Sequence, residues 1–528
     1  MYKIPLFILF GLVFCFNPVN AQLTVNGASF SIQSGATVTV IGDLSSNKNI
    51  SGLGNILLKG TTAQHLNMNG FSIPNLEVDN SDSILLTSDT RISNSLLFTN
   101  GVIYVGEHNL ALSDITSVSG MGAGKFIETD GTGQVLKEIT ANVSATEIPV
   151  GAGNIYRPVF ITTSGTYSAA RVGVQLQNIL SDFAPPVISD YLKANWNITQ
   201  EGITGTLNVS AQYNEPTDIA GDENNLKGYS YNGADWSSGN ATHDVTSNRI
   251  SFPITLPSAT ITAMDKFDLV NAKVFLQGAY NSGTGIMSDN LRTPVNLIPL
   301  SDPYRTASYN TSFIHINNSL AETVAPSVFA DQANSNDNIV DWVFLELRNT
   351  TTPGNAVLQT RSALIQRDGD IVDVDGKSPV TFNNVSSGNY TIAVRHRNHL
   401  GLSTDPATFN PALDEKKSTA ALVDFTTSAN TFGPSTAYAV AADGKHTLWG
   451  GNTNINSVVK FSGPGNDKDN ILNNILGGNA TTSINGYSVG DINMDRTVKY
   501  SGPNNDKDYL LFSVLSSNAT ISQTQYLP

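Results

Sequence analysis

"NSLLFTNGVIYVGEHNLALSD", Asn94–Asp114, decides how the first part of this chain folds. Short apolar runs are broken by Asn, Gly and Asp. The same pattern returns in "TVTVIG", "NILLKG", "PNLEVDN" and "SILLTSD", and across residues 22–120 the runs recur about every ten residues. β-branched and aliphatic residues between turn formers read as strands. Hairpin-linked strands and the rungs of a parallel β-solenoid both give this spacing. The shortness of each unit and its likeness to the next favour β-solenoid-like repeats over 22–120.

Composition agrees. The chain has 528 residues, enough for several domains, with 14% charged and 40% apolar. Gly, Ser, Thr and Asn suit strands and turns better than helices. The expected class is mainly β. A net charge of −15 argues against nucleic acid and anionic membranes as partners, and tolerates divalent cations. Residues 1–21 read as a secretory leader: Lys3, the apolar "IPLFILFGLVFCF", and Ala21 before the expected cut. The apolar stretch is short for a membrane span, and no later segment is apolar enough to be one. Cys15, the only cysteine, lies in the leader, so the mature chain is expected to lack disulfides. Phe14 before it argues against a lipoprotein cut.

Residues 121–272 carry alternating runs such as "YRPVFITT", "ARVGVQLQ" and "RISFPITL" and are expected to form a β-sandwich-like domain. Trp196 and Trp236 read as packing residues. Residues 273–430 form a second β domain. In it "RDGDIVDVDG" gathers Asp368, Asp370, Asp373 and Asp375. That is either a cation cluster or, more simply, two Asp-Gly turns around a returning strand. "RHRNH" sets His396 and His399 at metal-like spacing, but no third ligand is near in sequence. A strand end with solvated basic residues is the simpler reading. The other histidines are scattered singly.

Residues 431–528 contain a duplication. "GNTNINSVVKFSGPGNDKDNILNNIL" starts at Gly451 and "GDINMDRTVKYSGPNNDKDYLLFSVL" at Gly490, 39 residues on. Asp491, Asn493 and Asp495 sit at alternate positions, as oxygens do at positions 1, 3 and 5 of a calcium loop, with the Thr497 carbonyl at position 7. Position 12 would be Gly502, so an acid closes the loop only after the inserted "SGPN", at Asp506 or Asp508. Arg496 stands where such a loop takes Gly. The first copy offers the amides Asn452, Asn454 and Asn456, with Asp467 and Asp469 as its late acids. Fewer charges there mean weaker calcium binding. The bland reading is two sets of Asn/Asp turns that cap short helices without metal. The two copies are expected to share one core through Leu472, Ile475, Leu476, Leu511, Val514 and Leu515.

Two tandem loop–helix units at a C-terminus resemble type I dockerin modules, with Val459 and Val498 at the apolar eighth position. The phrases "IVDWVFLELRN", "ALIQRDGDIVDVDG" and "GNYTIAVRHRNHLGLST" resemble a module of surface and haemagglutinin-like proteins of Bacteroidetes-type bacteria. The resemblance implies an address and a class more than a chemistry. No serine-nucleophile elbow, zinc-protease motif or phosphate loop occurs, and the expectation is a non-enzyme. The expected role is that of a secreted cell-surface structural or adhesion protein, with a calcium-stabilised docking or anchoring module and a surface protein or polysaccharide as partner. A carbohydrate-binding accessory protein and a glycan-active hydrolase are the alternatives.

Overall fold

The computed structural model describes residues 21–319, 321–350, 355–385, 388–427 and 429–528. The expected leader lies outside them except for Ala21. The fold is mainly β, with 45% strand and 6% helix, and it contains a β-solenoid of about six turns. Two compact units form, one from residues up to 181 with 192–224 and 240–263, the other from 182–191, 225–239 and 264–528.

In the first unit the strands of the coil are parallel. Asn55–Gly60 pairs with Ser72–Leu86, which pairs with Thr90–Tyr104. Ile56, Leu76 and Leu96 therefore stack as one ladder at intervals of 20 residues, each almost wholly buried. Gln64–Asn67 also pairs with Ser72–Leu86, so a second ladder runs through Ile84 and Ile103. The ten-residue spacing of the sequence is thus half a turn, because each turn uses two apolar runs. Buried amides close the corners. Asn80 donates to the Thr62 carbonyl and to Gln64 Oε1, both at 2.8 Å, and Gln64 donates to the carbonyls of Val40 and Gly42. These side chains satisfy backbone groups that the bends leave without ladder partners.

Val135–Ile139 is the joint. It pairs in parallel with Leu110–Leu112 and antiparallel with the 19-residue strand Val159–Gln177. Beyond it the stretch read as a sandwich is built on long antiparallel strands, chiefly Val159–Gln177 and Asn195–Gln212. Arg157 and Asp218 form a fully buried ion pair beside them, at 2.6 Å.

The second unit holds an eight-stranded sheet in which Ile339–Asn349 is an inner strand, flanked by Val357–Gln366 and Tyr390–His396. "IVDWVFLEL" is buried along its whole length, as a near-continuous apolar run would be when both faces are covered. "RDGDIVDVDG" is a hairpin. Gly369 takes φ +94 at the turn, Asp370–Val372 returns along the sheet, and Asp375 caps the next turn by accepting from Lys377 and Ser378. Asp373 is buried against Arg361 at 2.7 Å, whereas Asp370 pairs with Lys273. Trp196 and Trp342 are fully buried and Trp236 nearly so. Among the described residues no helix is long and apolar enough to cross a membrane.

Candidate metal centre

The duplicated segment forms an interlocked pair. The loop strand of the first copy, Val458–Lys460, pairs with the tail of the second, Ser522–Thr524. The loop strand of the second, Thr497–Lys499, pairs with the tail of the first, Ser483–Asn485. The cores cross in the same way. Val459 packs with Ile492, Leu510, Val514 and Leu515, while Ile471 and Leu476 pack with Val498. Ile471 and Leu510, rather than Leu472 and Leu511, are the buried members, because each helix opens after one α turn into an i→i+5 turn. Phe512 is exposed. The inserted "SGPN" lies at the surface, and its serine clips the other copy: Ser462 donates to Ala519 and Ser501 to Ala480.

Each late acid divides sharply into an inward and an outward residue. Asp506 is fully buried, and its carboxylate accepts from the amides of Ile492 at 2.9 Å and Lys499 at 2.7 Å. Asp467 makes the equivalent bonds to Thr453 and Lys460. Asp508 and Asp469 turn away. Each closes a reciprocal cap with the asparagine three residues before it, Asn505 or Asn466. At the loop entrance Asp491, also fully buried, accepts from the amides of Asp495 and Arg496. Asp495 accepts from Thr497 and from the Asn493 side chain. In the first copy Asn452 replaces Asp491 and accepts from Asn456, whose own oxygen accepts from Val458, while Asn454 bonds to the Gly465 carbonyl.

Burial raises all three inward carboxylates: Asp506 to about 8, Asp467 to about 7 and Asp491 to about 6. The backbone amides on Asp506 and Asp467, and the charge of Arg397 near Asp491, only partly offset the desolvation. A carboxylate has about four lone-pair sites, so these amide bonds leave capacity for a cation.

The loop keeps a left-handed residue at its sixth position in both copies, with φ +84 at Arg496 and +67 at Ser457. The absence of Gly therefore does not change the turn, and a side chain is held where Gly would be free of strain. The Arg496 guanidinium donates to the carbonyls of Asn290, Thr293 and Val295. Arg496→Ala should lose those bonds while keeping the strain, costing about 1–2 kcal/mol at this part-exposed site. Arg496→Gly should cost about 1 kcal/mol less, since it also releases the backbone. Urea unfolding of the two variants that gave the reverse order would show that the turn carries no strain.

"RHRNH" is not a solvated strand end. His396, Arg397, Asn398 and His399 are all buried. Asp341 lies beneath them, accepting from Arg397 Nε at 3.0 Å and Tyr487 at 2.7 Å, with His396 Nε2 at 3.0 Å. Burial alone would raise the Asp341 carboxyl, but Arg397, His396 and Tyr487 together hold it below its ordinary value. Burial also lowers both histidines, so the imidazoles are neutral. Asn398 links both copies of the duplication. Its carbonyl accepts from Gly451 and Asn452, and its side chain donates to the Asp491 carbonyl at 2.8 Å.

Among the described residues, three acid or imidazole ligand atoms converge within 4.8 Å at one place, Asp302, His315 and Glu322. The sequence reading missed this cluster. No family model matches the chain, and no curated protein or solved structure matches it.

Proposed function

We propose that this is a secreted cell-surface structural or adhesion protein whose C-terminal duplication binds calcium in its second loop. The observation that carries the reading is the pair Asp491 and Asp506, buried in one loop with their pKa values raised by desolvation. Asn493, Asp495 and backbone carbonyls of the same loop offer further oxygens, the donor type calcium takes. The first loop, with Asn452 for Asp491, is the weaker site. The leader-like start supports export, and the repetitive β scaffold suits an extended surface protein. Trp196, Trp236 and Trp342 are buried and so are not available to a polysaccharide-binding face.

The duplication is packed into the second unit through Met494, Tyr509, Arg496 and Asn398. That favours an ion that stiffens the scaffold itself over a module held out on a tether. The test is unfolding of the full chain after chelation, with calcium or magnesium added back. Calcium at 100 times its dissociation constant should add about 2.7 kcal/mol. Magnesium should add less, because it demands strict octahedral geometry. No stabilisation at millimolar calcium would leave the loops as capping turns.

A further inference from the structure

We propose that Asp302, His315 and Glu322 form a second and chemically different metal site, for a zinc-class divalent cation. It shares no residue with the calcium loops and does not depend on them. The side chains of Asp302 and Glu322 are 0% and 2% exposed and that of His315 is 9% exposed. Asp302 Oδ2, Glu322 Oε2 and both ring nitrogens of His315 nevertheless make no hydrogen bond among the described residues. Such atoms are costly to bury without partners.

The surrounding structure fixes these groups from behind. Asp302 caps the short helical turn Pro303–Arg305, its Oδ1 accepting from Tyr304 at 2.8 Å, which leaves Oδ2 without a hydrogen bond. The Asp302 amide donates to the Glu322 carbonyl, so the two acids sit side by side across the Ser301–Thr323 bridge. Glu322 Oε1 is held by Arg361, Asn318 and Ser362, which leaves Oε2. Ile316 bonds to Thr360 through amide and carbonyl, fixing the backbone beside His315. Asp302 Oδ2 and His315 Nε2 lie 3.2 Å apart without hydrogen-bond geometry. Two ligands at about 2.0–2.1 Å from a tetrahedral zinc stand about 3.3 Å from each other. One imidazole and two carboxylates are zinc ligands, with a water as the fourth.

Charge is compatible with a cation. Asp302, Glu322 and Asp373 face Arg305 and Arg361, which leaves one net negative charge beside His315. Arg305 is the rival occupant, with Nε 3.3 Å from Asp302 Oδ2 and a terminal nitrogen 3.6 Å from Glu322 Oε2.

The full chain, stripped with a chelator and held in excess calcium to fill the loops, would be titrated with Co²⁺ and then competed with Zn²⁺. The expected result is one equivalent of cobalt with visible absorption of a four-coordinate nitrogen–oxygen site, displaced by zinc. Outer-shell changes alone weaken metal sites by about 10–100-fold, so loss of a ligand should cost about 100-fold or more. His315→Gln breaks no hydrogen bond, and Asp302→Asn keeps the capping acceptor, so at least one variant should fold. Absence of cobalt and zinc uptake by the wild-type chain would overturn the proposal and leave Arg305 as the resident cation. Unchanged uptake in a folded variant would overturn it too.

Discussion

Replacing Asp341 by Ala is expected to destabilise the second unit by about 3–5 kcal/mol, the cost of stripping one partner from a buried ion pair. The fully buried Arg397 would keep its charge, and its partner would be gone. Tyr487 and the Trp342 amide would lose their acceptor at the same time. Arg397 also donates to the Ser488 carbonyl and stacks on Tyr487 at 4.4 Å, so the loss reaches the linker between the two loops. Asp341→Asn should cost less, because it keeps an acceptor for Tyr487. Denaturant unfolding of the full chain, followed on the second unit's transition, checks both. A loss below about 1 kcal/mol for the alanine variant would mean that Arg397 finds another anion, since one ordinary hydrogen bond is already worth that much.

Calcium binding at pH 6.5 should expel about one proton, and Asp506→Asn should remove most of the release. Without an ion, burial holds Asp506 at about 8 in the fold, against an unfolded value near 3.8. The folded chain therefore binds the extra proton between those values. Stability from this group is fully present below about pH 4 and is lost as pH rises through about 8. Asp467, at about 7, adds the same sign over a narrower window, and Asp491, at about 6, a narrower one still. An ion in the second loop favours the carboxylate, so calcium should flatten this decline. Calorimetry in two buffers of different ionisation enthalpy reads the proton count. A wild-type count of zero with calcium bound would show that Asp506 is not a ligand. Asp491→Asn with Asp506→Asn should remove the calcium gain altogether.

Much of this was legible in the chain, and the failures have physical reasons. The apolar runs of 22–120 announced a coil but not its pitch, because one turn consumes two runs and only the ladder Ile56, Leu76, Leu96 shows which runs stack. The duplication was plain, but the single shared core expected of it is two crossed clusters, one around Val459 and one around Val498. "NDKD" could not tell Asp506 from Asp508. The choice belongs to Asn505, which takes the helix cap and draws Asp508 outward. Arg496 looked like a broken glycine position because its anchors, Asn290 to Val295, lie about 200 residues away. "RHRNH" looked solvated because its counter-charge, Asp341, comes from a different strand of the sheet. Asp302, His315 and Glu322 have no motif at all, and only the bridge between Ser301 and Thr323 brings the two acids together.

The crossed pairing of the duplication has the symmetry of a two-chain assembly. Each copy gives its tail and helix to the loop strand of the other, through matching contacts 39 residues apart. Two separate chains carrying one copy each would bury the same faces about a two-fold axis, since an isologous interface is self-complementary. The C-terminus thus has the form of a symmetric dimer fused into one polypeptide. Fusion frees the halves to diverge, because neither must any longer serve on both sides of the axis. One half carries aspartate at the loop entrance, in Asp491, while its twin carries the neutral Asn452 and serves as its fold partner.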